Sequence, residues 1–355
     1  MGSDFLRRII KLSREVLGFS DIGLISLNAN LRSKPDHDLK NREIYETLKT
    51  VVINKHDWAK TIIVLINSYI PYKTDFPHGY GLYSAHYKQY PKGRNATQIL
   101  ASFLEDAGFR ASFDSVIPVK AAAFCAGLGK YGKNSLIYTK DYGSFVTIHT
   151  VVTDALLDYD NSLLGEVSDC EECNVCIDSC PTKAIVRAGS LSKGRCLREY
   201  MLSKNVVPLE MRKLMDKCIL GCDICQIACP KNKERYKEAV LPSDEEVTAF
   251  DIANILSGND ESIKSLDFIG SIIGANYAKR EQVLATAAII AGNMKEMRFS
   301  PKLIKLLSDI NPTVRVHAAW ALNEIDKKSA EDELKCAVSK EADEGVKLEL
   351  ESLLA

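Results

Sequence analysis

The chain has 355 residues, 46% hydrophobic and 26% charged, with 46 Lys and Arg against 47 Asp and Glu. A formal charge of −1 leaves no global field to draw in nucleic acid or an anionic membrane. The longest apolar stretches, such as TIIVLINSYI at 61–70, are too short to cross a bilayer, and Arg7 and Arg8 are followed by no apolar signal core, so a cytoplasmic protein of roughly two to three domains is expected.

Residues 1–165 mix helix and strand. Phe5, Ile9, Ile10, Leu12 and Val16 recur at helical spacing, and Gly18 is a plausible stop. Runs rich in Ile, Val, Phe and Thr at 21–27, 61–70, 110–116, 135–139 and 144–155 predict strands. Helices over 42–52 and 96–107 fall between them, which gives an α+β fold. Between Ile70 and Arg94 the chain is aromatic and irregular, either a loop over a ligand or an exposed connection. Tyr83, Tyr87 and Tyr90 there either line a pocket or pack. The segment GLGKYGKN (127–134) brings Gly127, Gly129 and Gly132, which would let backbone approach a large planar ligand, although helix-end packing explains them equally well. His149, in FVTIHTVV, reads as a core residue of a strand.

Residues 166–238 carry the densest chemistry. CEECNVCIDSCP supplies Cys170, Cys173, Cys176 and Cys180 before Pro181, and GCDICQIACP supplies Cys222, Cys225 and Cys229 before Pro230. The C-x₂-C-x₂-C-x₃-C-P spacing is that of two-cluster ferredoxins, in which three thiolates of a run hold one cubane and the fourth crosses to the other. Two [4Fe-4S] clusters are therefore expected, one on Cys170, Cys173, Cys176 and Cys229. The other takes Cys180, Cys222 and Cys225, with Cys196 as fourth ligand and Cys218 as its competitor. Structural zinc and disulfides are the competing readings. Cys125 and Cys336 read as small buried hydrophobes. Between the runs, Lys193, Arg195, Arg198, Lys204, Arg212, Lys213 and Lys217 outnumber Glu199, Glu210 and Asp216, giving a basic patch or a solvated helix face.

Residues 245–355 change to short amphipathic helices such as REQVLATAAIIAGN, SPKLIKLLSD, TVRVHAAWALNEID, AEDELKCAVSK and EGVKLELESLLA. Val314, Ala318, Ala321 and Leu322 share one face, with Pro312 at a helix start. Helices of this size stack as a HEAT-like solenoid. Over 261–355 acids and bases nearly balance, so this part has no general attraction for RNA.

The segments AGLGKYGKNSLIY (126–138), YGSFVTIHTVVTDALL (142–157), GRCLREY (194–200), VRVHAAWAL (314–322) and the two cysteine runs together resemble the epoxyqueuosine reductase family. The resemblance implies an α/β domain of cobalamin-binding type at 1–165, a ferredoxin-like two-cluster module at 166–238 and helical repeats at 245–355. It implies a base-off cobalamin fed with electrons by the clusters, and reduction of epoxyqueuosine at the wobble position of certain tRNAs to queuosine. Gly127, Gly129, Gly132, Lys133 and Asn134 would then border the cobalamin, and Asp114 would protonate the departing oxygen. A monomer gripping the tRNA anticodon arm and drawing on a low-potential donor such as ferredoxin or flavodoxin follows, with no membrane partner. The chain departs from the family where GLYSAHYKQYPKGR replaces a Tyr-Ala-Arg-Gly-x-Asp-Tyr-His block and where Lys231 replaces Trp. A related corrinoid reductase with a small-molecule substrate, akin to the reductive dehalogenases, and a non-enzymatic electron carrier or activator of a corrinoid protein are the alternatives.

Overall fold

The computed structural model describes residues 2–28, 39–75, 79–113, 116–157 and 170–355. In the N-terminal region the elements are α1 (Gly2–Lys11), a π-turn continuing it (Leu12–Val16), β1 (Asp21–Ser26), α2 (Leu39–Lys55) and β2 (Thr61–Ser68). They are followed by β3 (Leu82–Tyr83), α3 (His86–Asp106), β4 (Ala111–Ser112), α4 (Val119–Cys125), β5 (Lys130–Tyr131), β6 (Ile137–Tyr138) and β7 (Val146–Thr153). A four-stranded sheet of order β1-β2-β7-β4 is antiparallel throughout, with Thr61 opposite Thr153. β2 is buried on both faces, which is why it reads as an unbroken apolar run. Ile62, Val64 and Ile66 pack towards α2 and α4, while Ile63 and Leu65 pack towards α1 and α3.

The aromatic stretch is not a loop to its end. α3 begins at His86 and runs through Pro91, because its packing across β7 outweighs local propensity. Gly93 permits that crossing, since a Cβ there would meet His149 Nε2 at 2.1 Å. β4 is shorter than the expected run at 110–116.

The cysteine module is built from turns, with α5 (Val175–Asp178), β8 (Ile185–Arg187), β9 (Ser190–Leu191), α6 (Leu209–Arg212), β10 (Cys218–Leu220), α7 (Ile224–Ile227) and α8 (Lys233–Lys237). β10 pairs in parallel with β3, which ties the module to the N-terminal region.

The C-terminal helices are α9 (Asp244–Ala249), α10 (Ile252–Ile255), α11 (Asp260–Ile273), α12 (Arg280–Met294), α13 (Ser300–Leu306), α14 (Pro312–Lys340) and α15 (Glu344–Leu354). Asn311 caps α14 by accepting from the Thr313 amide at 2.9 Å, with Pro312 in the first turn. α14 is two helices joined at Asp326, whose backbone is extended (φ −158°, ψ 97°) and whose carboxylate caps the second. α12 is buried nearly all round, and a Cβ on Gly292 would meet Ala321 Cα at 2.8 Å. One continuous core joins Tyr80 and Tyr83, Leu197 to Leu220, and Phe250 to Leu350, so the cysteine module and the C-terminal helices share packing. Among the described residues no helix is long and apolar enough to cross a membrane. Cys125 is buried, as expected, and burial pushes its thiol up to about 12, whereas Cys336 is exposed on the outer face of α14.

Candidate functional site

The two cysteine runs fold alike. Each C-x₂-C pair brackets the start of a one-turn helix, Cys173 and Cys176 around α5 and Cys222 and Cys225 around α7. The Cys173 amide closes a turn on the Cys170 carbonyl at 2.8 Å, which swings three thiols of the first run to one side.

Two cavities result. The first, about 270 Å³, is lined by Cys170, Cys173, Cys176 and Cys229 together with Lys133, Asn134, Tyr138 and Lys231. The second, about 350 Å³, is lined by Cys180, Cys196, Cys222 and Cys225. The chain thus gathers the eight thiols into the two sets that their spacing suggests. Cys218 lies on β10, packed against the helical core, and does not line the second cavity.

The cysteines are free thiols, not disulfides. Sulfurs ranged round a cavity suit a cubane instead. Burial pushes the Cys222 thiol up to about 12, so coordination rather than simple ionisation would make the thiolate there.

The far walls of the second cavity come from the N-terminal domain: Tyr69, His86, Tyr87, Tyr90, Val119, Lys120, Val146 and Ile148. His86 stacks on Tyr90 at 5.8 Å and meets Tyr69 edge-on at 6.0 Å. Enclosure, and secondarily Arg198, holds its imidazole down at about 3, so it is neutral. The Arg198 guanidinium donates to the Tyr87 hydroxyl at 2.9 Å and sits 5.4 Å from that ring. Lys120 donates to the Ser135 carbonyl at 2.9 Å. Asp223, beside the second thiol set, has its carboxyl raised by burial, opposed by hydrogen bonds from Ser84 and Gln226. The sheet docks on the module through a buried polar knot. Asn232 accepts from the Ser144 amide at 2.9 Å and donates to the Ser144 hydroxyl at 2.8 Å. Gly143 is obligatory there, since a Cβ would meet Asn232 Oδ1 at 2.1 Å.

Several sequence expectations land elsewhere. Gly127 (φ +72°) follows the Ala126 cap of α4 as a helix stop. Gly129 and Gly132 admit β6, their Cβ atoms otherwise meeting Ile137 Cγ2 at 2.6 Å and Tyr138 Cε2 at 2.4 Å. Lys133 Nζ donates to the Glu171 carbonyl at 2.7 Å and to Asn174 at 3.0 Å, bracing the first cysteine turn. Of these five residues Asn134 lines the second cavity, alongside Leu136 and Ile137 of the same segment, while Lys133 and Asn134 line the first.

Tyr87 and Tyr90 do line the cavity, whereas Tyr83 stacks on Phe250 at 4.1 Å and donates to Glu246 at 2.6 Å. His149 is a core histidine, with Nε2 3.0 Å from the Thr147 hydroxyl, and burial lowers it to about 4. The basic stretch is no single face. Arg212 is buried against Trp320, Lys213 pairs with Glu324 at 2.9 Å, and Arg198 faces the cavity. Lys193, Arg195 and Lys204 remain exposed. Asp114 lies outside the described residues. His86, Lys120 and Asp223 were not anticipated; only the aromatic density around His86 signals it.

Residues 169–232 match the 4Fe-4S double cluster binding domain, and residues 274–355 match HEAT repeats. The chain is 30% identical over 235 residues to the epoxyqueuosine reductase of Bacillus subtilis (strain 168), covering 65% of this chain and 59% of that protein. It is 31% identical over 213 residues to an uncharacterised protein of Geobacillus stearothermophilus, covering 59% of this chain and 96% of the other. Over about two thirds of its length the chain is similar to epoxyqueuosine reductases. It spans 59% of the length of the Bacillus subtilis relative. A crystal structure of epoxyqueuosine reductase with an epoxyqueuosine-modified tRNA-Tyr stem loop has the same fold, with a TM-score of 0.82 at 23% identity over 100% of this chain and 99% of that one. The chain thus joins a region matching the double [4Fe-4S] cluster domain to one matching HEAT repeats.

Proposed function

We propose that this chain reduces epoxyqueuosine in tRNA to queuosine, using two [4Fe-4S] clusters and a corrinoid. The observation that carries the proposal is the shared second cavity: one wall holds four thiols, and the others come from the N-terminal domain. A reductant held there faces whatever occupies the cavity, with no intervening layer of protein.

The residues fit both groups. Cys170, Cys173, Cys176 and Cys229 would hold one cluster, and Cys180, Cys196, Cys222 and Cys225 the other. The apolar lining of Val119, Leu136, Ile137, Val146 and Ile148, with Tyr87 and Tyr90, suits the face of a large macrocycle, while Lys120 and Arg198 suit its polar fringe. When bound, the corrinoid supplies a low-potential two-electron reductant.

Removing the epoxide oxygen as water and leaving an alkene takes two electrons and two protons. The electrons enter from an external donor such as ferredoxin or flavodoxin. Asp114 is the proposed proton donor. His86, held neutral, is a hydrogen-bonding group that leaves the cavity's charge unchanged, and Tyr69, Tyr87 and Tyr90 exclude water. Exposed Lys193, Arg195 and Lys204 would meet the tRNA backbone. We take the working form to be a cytoplasmic monomer.

Anaerobic reconstitution tests this directly. The protein should bind about eight iron atoms per chain, take up cobalamin, and convert an epoxyqueuosine stem loop when given a strong reductant. Full clusters with bound cobalamin but no conversion would overturn the substrate. Full clusters without corrinoid uptake would leave only an electron carrier.

A further inference from the structure

Most residues lining the second cavity are buried or half-buried. Among the described ones only Tyr90, Lys120, Leu191 and Arg198 are exposed, which places these four at its mouth. Tyr90 and Lys120 come from α3 and α4 of the N-terminal region, whereas Leu191 and Arg198 come from β9 and the turn after Cys196. A ligand entering the cavity therefore passes between two cations, one from each side. Both cations bond neutral acceptors only. Lys120 Nζ donates to the Ser135 carbonyl at 2.9 Å, and Arg198 Nε donates to the Tyr87 hydroxyl at 2.9 Å. Among the described residues neither pairs with a carboxylate, and both terminal amino groups of Arg198 are left for a ligand. Asp223, the acid that lines the cavity, is half-buried and accepts from Gln226 Nε2 at 2.8 Å. Lys193 and Arg195, exposed on the turn just before Arg198, continue the positive track outward. An enzyme that works on one base of a polynucleotide draws that base into a pocket and leaves the phosphates outside. The mouth has the chemistry for what stays outside: two cations for phosphate oxygens, and the exposed Tyr90 ring for a stacked neighbour. The amides of a corrinoid fringe can accept from these cations but carry no charge to answer theirs.

We infer that Lys120 and Arg198 form a phosphate clamp at the mouth, gripping the phosphodiester beside the nucleotide whose base enters the cavity. They determine specificity, favouring a base carried in a polynucleotide over the same base in a free nucleoside. The clamp rests on the tRNA substrate proposed above and names the part of it that this mouth holds.

The test uses the full-length protein loaded with clusters and cobalamin, without reductant, so that binding is read apart from conversion. Affinity is measured for an epoxyqueuosine stem loop, once with ordinary phosphates and once with a neutral methylphosphonate on either side of the modified nucleotide. Lys120→Gln and Arg198→Gln should each weaken the ordinary stem loop and lower the slope of log affinity against log salt by roughly 0.8. The methylphosphonate should weaken wild type similarly yet cost the variants little, because the contact it removes is already gone. Arg198→Lys keeps the charge and should retain most of the affinity. Iron and cobalt counts equal to wild type show that the variants fold. Wild-type affinity in both glutamine variants would overturn the clamp, and so would equal methylphosphonate losses in wild type and variants. Variants that bind the stem loop normally but lose cobalamin would overturn it too, since that assigns the cations to the corrinoid. A wild type that binds no stem loop overturns clamp and substrate together, whereas a bound stem loop left unconverted once reductant is added overturns the substrate alone.

Discussion

The two cages are built from the same turn but face different surroundings. The first is hemmed by Lys133, Glu171, Glu172 and Lys231, and Cys173 on its rim is exposed. The second opens into a cavity walled by Tyr69, His86, Tyr90 and Ile148. Under the proposed function, identical ligand chemistry would serve two tasks by position alone: the outer cage is reachable from solvent, and the inner one faces the second cavity. Electrons entering at the outer cage would leave through the inner.

The largest effect expected breaks that asymmetry. Cys222→Ser and Cys173→Ser should each lose about half of the roughly eight iron atoms. With a protein donor both should fall below detection. With a small, strong chemical reductant the outer variant should recover turnover and the inner should not. Equal recovery would mean the cages do not act in series. Next in size is the fourth ligand of the inner cage. Cys196→Ser should again cost about half the iron, whereas Cys218→Ser should leave iron content unchanged; the reverse result would move the ligand to β10.

This contrast also marks what the sequence could reveal. Cysteine spacing is covalent and local, so seven of the eight ligands were legible in the sequence. Cys196 could not be separated from Cys218 by spacing, because strand pairing decides it: β10 bonds to β3 and turns Cys218 into the core. The sheet was legible from β-branched runs and the C-terminal helices from their periodicity. Gly129 and Gly132 mark a close approach without naming the partner, which among the described residues is β6. His86 was invisible because α3 begins inside a segment rich in Tyr, Pro and Gly, and only packing on β7 keeps it helical.

A smaller effect concerns what lies outside the cages. Charge reversal at Lys193 and Arg195 should weaken tRNA binding and flatten its salt dependence, by roughly one counterion per lost contact. Reversal at Lys204 tests whether the exposed surface extends towards the helical repeats. Arg212 is unsuitable for that purpose, being buried against Trp320 and paired with Glu349. Binding that keeps the wild-type salt slope in all three variants would remove this surface as a contact.

The smallest effect sharpens the comparison through pH, because His86 lies at the inner cavity and His149 beneath it, whereas among the described residues no histidine lines the outer one. Folding lowers His86 from 6.5 to about 3 and His149 to about 4, in both cases chiefly by burial. Below 6.5 the unfolded chain therefore binds protons that the folded one refuses. Stability present above that pH is lost on acidification, each histidine costing up to about 1.4 kcal/mol per pH unit. Glu246 acts in a lower window. Burial opposes its ionisation, but Lys88, Tyr83, Tyr72 and the Ser243 amide prevail and hold it at about 2, so its contribution persists above 4.5 and is lost only as pH falls from there towards about 2. Denaturant unfolding between pH 7 and 5 should consequently steepen with acid in wild type and less so in His149→Gln. An unchanged slope in that variant would show that His149 ionises in the folded protein as freely as in the unfolded chain.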